Sequence, residues 1–383
     1  MKKTMYTWNK IYKLYPVNEH LIYLNNCGTT PASKIITEEM KNYFIEYSNY
    51  GILNKKYSIN EIKNSIQSIL AGLLNCKKDE IAIIHNTAEG MNLISYGLNL
   101  QKGDEILLLE NEYPSNVYPW EHWRKKGVSL KFIELKNNPE EFLKNFKNQI
   151  NQRTKVISIS AVHWCTGMPL PLKDIGQFCK DNAMLFIVDG AQGVGHVNID
   201  VKNWNIDAMA FSAWKWLLGP LGLGCLIIKK ATLDKIDFVF KGTSSINNYY
   251  NYLPYSDDVK NNAERYIYST PNFNDWIYFE AILKFLNEIS FDNVMKRIYE
   301  LSDYLSDKLK NAGFILDKDT FSKYKTGIIT AKKDGIDTKK AVSYLMENKI
   351  IAAERFGKIR FSPHIYNSFE HLDKAVDALM SFQ

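Results

Sequence analysis

The stretch Met184-Leu-Phe-Ile-Val188-Asp189-Gly-Ala-Gln192, continued by Ala208-Met-Ala-Phe-Ser212-Ala-Trp214-Lys215-Trp-Leu-Leu-Gly-Pro-Leu-Gly-Leu-Gly224, decides the fold. Leu185 to Val188 is short and wholly apolar, which predicts a strand buried on both faces of a parallel sheet. Asp189 then stands at a strand's carboxyl end, where open α/β sheets collect their ligand chemistry. Ala208 to Ser212 reads as a second such strand, followed at once by Lys215 between two tryptophans and a glycine-punctuated turn. Burial there would lower the lysine's pKa. A carboxylate able to keep a pyridine nitrogen protonated and a desolvated lysine able to form an imine are what pyridoxal 5'-phosphate (PLP) requires of a protein. The pair predicts an enzyme using that cofactor.

Outward from this stretch, strands alternate with helices. Ile81 to Ile84, Glu105 to Leu109, Ser129 to Glu134 and Lys155 to Ser160 read as strands. Between them lie helical patterns over 33–75, from an Asn86-Thr87 cap to about Leu98, and near Trp120 to Lys126. This alternation predicts βαβ units and a largely parallel sheet. After Asn247 the texture turns polar and aromatic, then two long helices are predicted, near Trp276 to Ile289 and Val294 to Ala312. Residues 325–383 read as a small α+β domain. A chain of 383 residues exceeds the range in which one core keeps growing. The expected division is a 1–20 segment packing with the small domain, a large domain over 21–255, and an interdomain helix with the small domain over 256–383.

Composition narrows the function classes. With 45% hydrophobic and 23% charged residues the chain reads as an ordinary globular protein. Its net charge of +6 is modest, and the basic cluster Arg124-Lys125-Lys126 reads as a solvated helix end, not a nucleic-acid site. No apolar run approaches the roughly 20 residues of a membrane span. Met1 to Lys10 lacks the apolar core of a signal peptide, so a cytoplasmic location is expected, with no membrane partner. Five cysteines, at irregular spacing and without a Cys-x-x-Cys pair, predict reduced thiols. The seven scattered histidines predict no metal site.

Further motifs flank the Asp189 and Lys215 stretches: Tyr23-Leu-Asn-Asn-Cys-Gly-Thr-Thr-Pro31, Asn86-Thr-Ala-Glu-Gly-Met-Asn92, Glu112-Tyr-Pro-Ser-Asn-Val-Tyr-Pro-Trp120, Ser269-Thr-Pro-Asn272 and Arg360-Phe-Ser-Pro-His-Ile-Tyr-Asn367. In this order, from Tyr23 to about Asn367, the chain resembles fold-type I PLP enzymes of the class V aminotransferase family. That group includes cysteine desulfurases, isopenicillin-N-epimerase-like proteins and kynureninase relatives. The resemblance implies an aspartate aminotransferase-like large α/β domain with a mainly parallel sheet, a small α+β domain, a homodimer and an amino-acid substrate.

The resemblance also implies roles. Lys215 would bind the cofactor covalently and move protons, Asp189 would face its pyridine nitrogen, and Gln192 would hydrogen-bond its ring O3′. Thr87, Ala88 and Ser212 would take the phosphate, at a strand-to-helix corner suited to anions. Relatives often have Thr where Ala88 stands, so that contact is through backbone. Trp214 replaces the histidine that usually precedes the lysine; it can donate one indole N–H but carries no charge. Thr270 matches a residue that reaches the phosphate of the neighbouring subunit.

Tyr113 stands where desulfurases stack a histidine on the cofactor; it can stack equally but lacks an imidazole's near-neutral pKa. Trp164 replaces an Asn that bonds the cofactor, which makes His163 a candidate polar contact. Arg360 matches the arginine that grips the substrate carboxylate, a task suited to its fork of donors. Asn26, Cys27 and Gly28 match a loop lining the substrate pocket, with Cys27 read as a small buried residue, not a nucleophile.

One departure is decisive for chemistry. Cysteine desulfurases carry a mobile loop with a nucleophilic cysteine before the carboxylate-binding arginine. Here Ile351 to Arg360 is short, and the last cysteine in the chain is Cys225. Persulfide-forming desulfuration by the usual route is therefore not expected, and the expected function is a PLP enzyme acting at the Cα of an amino acid, most simply an aminotransferase. A C–S lyase, another β-elimination or an epimerase is the alternative. A non-catalytic partner protein is disfavoured because Lys215, Asp189 and Gln192 are all present.

Overall fold

The computed structural model describes residues 6–382. In chain order, β1 (Ile22–Tyr23) precedes β2 (Ile81–Ile84), β3 (Glu105–Leu109), β4 (Ser129–Ile133), β5 (Thr154–Ser160), β6 (Leu185–Asp189), β7 (Ala208–Ser212) and β8 (Gly224–Ile228). There follow β9 (Ile315–Leu316), β10 (Ile329–Lys332), β11 (Ile350–Ile351), β12 (Ala353–Arg355) and β13 (Lys358–Phe361).

Seven strands form the main sheet in the order β2-β8-β7-β6-β5-β3-β4. All neighbours are parallel except at β8, which runs antiparallel to both β2 and β7. Strands β2, β3, β7 and β8 are buried along their whole length, as a sheet covered on both faces requires. One face packs Ile157, Val188 and Met209 against Phe142, Ile175 and Trp276. The other packs Ile106, Leu108 and Ile187 against Met91, Ile94 and Trp120.

The parallel strands put the residues after β2, β3, β5, β6 and β7 along one edge. After β7 the chain reverses, and Ser212 faces Gly224 across the β7–β8 pair. The connection 213–223 carrying Lys215 therefore stays on that edge. Gly224 is required where β8 begins, since a Cβ there would lie 2.5 Å from the Phe211 carbonyl and 3.0 Å from Asn86 Cα.

The predicted helix over 33–75 is two helices, Lys34–Tyr50 and Ile59–Leu74. Gly51 breaks it at φ 55°, a conformation that suits glycine. Near Trp120 the chain forms a 3₁₀ helix, Tyr118–Lys126, entered at Pro119 and ended by left-handed Gly127.

The small domain holds an antiparallel sheet in the order β12-β13-β10-β9, and β1 and β11 form a separate parallel pair. Its core joins Leu24, Leu301, Leu305, Ile359 and Leu372. β9 and the second half of the helix Phe291–Asn311, through Leu301, Leu305 and Leu309, pack in this core too, ahead of residue 325. The helix Phe273–Ile289, by contrast, packs Trp276, Phe279 and Phe285 into the core of the large sheet, as do Phe291, Val294 and Ile298. A boundary within the helix Phe291–Asn311, near residue 300, is proposed in place of 255. Within the 1–20 segment, Tyr12 Oη lies 3.2 Å from His371 Nε2 of the small domain, and Tyr15 packs on Tyr366. Ile11 and Tyr15 also enter the large core, so this segment bridges the two. Its residues 1–5 lie outside the described residues.

Candidate active site

A cavity of about 390 Å³ opens on the carboxyl edge of the main sheet, within the size range of small-molecule sites. Its lining brings together Cys27, Gly28, Thr87, Ala88, Tyr113, Asp189, Gln192, Ser212, Trp214, Lys215 and Arg360. Asn86, Ser115, Trp164, Ala191 and Arg355 complete the wall. Ser115 falls inside a motif legible in the sequence that assigned it no role, and Asn86 was legible only as a helix cap.

At one end, the helix Thr87–Gly97 starts directly after β2. The Asn86 side chain caps it by accepting the Glu89 N–H at 2.9 Å. Thr87 Oγ1 and Ser212 Oγ are 2.8 Å apart, a hydroxyl pair at the helix N-terminus. The helix can sit this close to β7 because residue 90 is glycine; a Cβ there would lie 2.5 Å from Ala210 Cβ. Uncapped N–H groups, two hydroxyls and the Trp214 indole form a neutral donor set for an anion.

Asp189 ends β6, and its Oδ1 accepts the Ala191 N–H at 2.8 Å. This leaves Oδ2 for a group entering the cavity. Burial pushes its carboxyl up from the ordinary value, against the Ala191 bond and the Lys215 amine, which both lower it. Lys215 lines the cavity with its amine enclosed by protein. Burial pushes that amine down, opposed chiefly by Asp189. Tyr113 lies over it, ring centre 5.5 Å from Nζ, and meets Trp164 edge to face.

Gln192 is held at both ends of its amide. Nε2 donates to the Cys27 carbonyl at 2.9 Å, and Oε1 accepts from Trp216 Nε1 at 2.9 Å. At the opposite wall, Arg360 from β13 is 2% exposed. Its Nη1 donates to the Trp164 carbonyl at 2.8 Å, and its Nε has no partner. No acidic side chain pairs with Arg355 or Arg360 among the described residues.

Two sequence assignments need correction. Asn26 is fully buried behind the cavity: Nδ2 donates to the Lys215 carbonyl at 3.3 Å, and Oδ1 accepts from Tyr366 Oη at 3.0 Å. It braces the lysine and does not face a substrate. His163 is also turned away, its ring bound by Thr166 and the Asn111 carbonyl; Trp164 is the neighbour that lines the wall. Thr270, matched to the phosphate of a neighbouring subunit, lies outside the cavity of its own chain, exposed beside His85 and Glu89 in a separate cleft.

Sequence reading also missed a buried acid. Glu112 accepts the Tyr113 N–H at 2.8 Å, and from Ser160 both the N–H at 2.9 Å and the hydroxyl. It thus ties the start of the Tyr113 turn to the end of β5. Burial, with Asp189 adding to it, raises its carboxyl to about 7. The native state therefore binds a proton that the unfolded chain has released between pH about 4.5 and 7. This contribution to stability is present below that window and lost as pH rises through it. Glu112→Gln should flatten the wild-type decline across the window, a difference on the order of 2–4 kcal/mol, read as unfolding midpoints against pH. Parallel curves for the two proteins would refute it.

The two ends of the cavity suit opposite ends of one ligand. A buried carboxylate and an enclosed lysine fit a pyridine aldehyde, while the helix N-terminus and hydroxyl pair fit its phosphate. The fold and this donor set define a PLP-dependent enzyme of fold type I.

Comparison with known proteins agrees. The aminotransferase class-V family model matches residues 22–374, and the chain belongs to that family. A relative from Pyrococcus abyssi named "Probable cysteine desulfurase" is 27% identical, covering 96% of each chain. Among solved structures, the apo cysteine desulfurase of Thermococcus onnurineus NA1 superposes with a TM-score of 0.86 at 24% identity, covering 97% of both chains. The cystine C-S lyase C-DES, solved with its product cysteine persulfide, gives 0.87 at 21% identity, covering 96% of this chain and 99% of its own. The cofactor is pyridoxal 5'-phosphate.

Proposed function

We propose that the protein acts at the Cα of an α-amino acid and that its overall reaction is transamination. The observation that carries this is the enclosed Lys215 amine between Asp189 and Arg360, with no thiol on the β12–β13 hairpin. When bound, the cofactor supplies an electron sink that makes the substrate Cα–H acidic. Asp189 would hold the proton on the ring nitrogen. Thr87, Ala88, Ser212 and Trp214 would hold the phosphate, Tyr113 would stack on the ring, and Arg360 would take the substrate carboxylate. Lys215 Nζ, whose charge burial disfavours, would take the Cα proton and give it back. Where it returned that proton would decide the product: delivery away from Cα, followed by hydrolysis, would release an oxo acid and leave the amino group with the cofactor for a second oxo acid to collect.

The test is a screen of amino acids for absorbance changes in the bound cofactor, followed by addition of an oxo acid. Reversal by the oxo acid supports transamination. Release of ammonia or sulfide without any oxo acid would replace it with C–S elimination. That second reading is favoured by the names of the relatives. The short hairpin Phe356-Gly357, without a cysteine, would then release sulfur to solution, since no residue there can carry a persulfide.

We further propose a homodimer in which Thr270 completes the phosphate corner of the partner subunit. Its exposed position, outside its own cavity, fits that role. Sedimentation should give a dimer whose PLP retention falls on dilution; a monomer retaining PLP and activity would sink it.

A further inference from the structure

Trp216 follows the cavity lysine directly, yet its side chain points away from the cavity and is fully buried. Its indole nitrogen can only donate, so the Gln192 oxygen must face it. The Cys27 carbonyl can only accept, so the Gln192 nitrogen must face that side. The two partners together forbid the flipped amide. Gln192 lines the cavity, and its nitrogen has a second hydrogen to offer there.

Trp216 is itself fixed. Its ring stacks on His196 at 4.0 Å and 14°. The His196 tautomer follows from its partners. Nδ1 lies 2.8 Å from the Gln192 carbonyl, an acceptor, while Nε2 meets the Gly327 N–H, a donor. The imidazole is therefore neutral with its proton on Nδ1, and it ties down the backbone of Gln192 as well. A Cβ on residue 327 would lie 2.9 Å from the Trp216 ring, so glycine is needed for the ring to fit.

We propose that Trp216 is a positioning residue that locks the Gln192 amide with its nitrogen toward the cavity, so that a donor always faces the phenolic oxygen of the cofactor. A donor there stabilises that oxygen as an anion and so lowers the pKa of the neighbouring lysine–cofactor linkage. The charged and titratable groups facing Lys215 are Asp189, Cys27 and Arg360, with the Tyr113 phenol above it. Arg355 lines the same cavity, Glu112 lies beside Asp189, and His196 and His364 flank Trp216. Substituting Trp216 by Phe changes none of them directly.

This inference rests on Lys215 binding the cofactor, which the absorbance of the wild-type holoenzyme tests separately: no band that titrates with pH would overturn that assignment. Given the band, its midpoint should rise by about one pH unit in Gln192→Ala, the effect of losing one hydrogen bond to a charged oxygen. Trp216→Phe should raise it in the same direction by a smaller amount, because the Cys27 carbonyl still holds one side of the amide, and the double variant should match Gln192→Ala, since both changes act on one interaction. An unmoved midpoint in folded Trp216→Phe overturns the proposal, since a merely structural role would change stability alone. Should that variant not fold, the eight indole N–H resonances of ¹⁵N-tryptophan-labelled holoenzyme decide. Gln192→Ala should shift one strongly protected indole and speed its exchange. Eight unchanged indoles would overturn the proposal.

Discussion

Lys215→Ala is expected to abolish the borohydride-reducible bond between cofactor and protein and to reduce turnover at least about 10⁴-fold, the upper range for loss of one acid–base group. The expectation follows from how the chain is built at this point. β7 ends at Ser212 and the chain reverses into β8, which keeps residues 213–223 on the edge where Asp189 and the Thr87 helix also end. Asn26 holds the Lys215 carbonyl, and the Leu218 N–H bonds the same oxygen at 3.1 Å, so the backbone under the lysine is fixed from two sides. Burial keeps a fraction of the amine neutral, which an imine-forming or proton-accepting lysine needs. The phosphate corner is untouched by the substitution, so the variant should still bind PLP, reversibly and more weakly. Reduction of wild type with borohydride and peptide mapping should place the label on Lys215. A label on any other lysine defeats the assignment.

The parts of this site legible in the sequence are those set by strand ends. Leu185 to Val188 and Ala208 to Ser212 are short apolar runs, so Asp189 and Lys215 could be placed at one sheet edge without coordinates. The antiparallel insertion of β8 was not legible, because a fully buried strand reads alike in either direction. Asn26 shows a second limit. It neighbours Cys27, which does line the cavity, but which of two adjacent side chains turns inward depends on Tyr366, 340 residues away in the chain. Glu112 shows a third. Its motif was visible, yet its partner Ser160 lies 48 residues on, and nothing local signals that contact. Trp216 read simply as an apolar neighbour of the lysine, since its hydrogen bond to Gln192 is tertiary.

Arg360→Ala is expected to weaken amino-acid binding by about 2–5 kcal/mol, some 30-fold to several thousand-fold, while the cofactor spectrum stays intact. Among the described residues the guanidinium is buried without a carboxylate partner, its bonds going to the Trp164 carbonyl and, at 3.5 Å, to Asn25 Oδ1. An unpaired buried cation is costly unless an anion arrives to share the site, and Nε is left as an open donor. A substrate carboxylate supplies that anion, and truncation would leave it buried alone. Arg360→Lys keeps the charge but loses the fork, and should restore only part of the affinity. PLP binding should not change, since Lys215, Asp189 and the phosphate corner lie on other elements. Arg355 is the competing candidate. Ala353 pairs with Arg360 across β12 and β13, so Arg355, two residues on, shares that face. Titrating wild type, Arg360→Ala and Arg355→Ala with an unreactive amino acid separates the two. Unchanged affinity in Arg360→Ala together with a large loss in Arg355→Ala would move the carboxylate to Arg355, and with it the orientation of the substrate over Lys215.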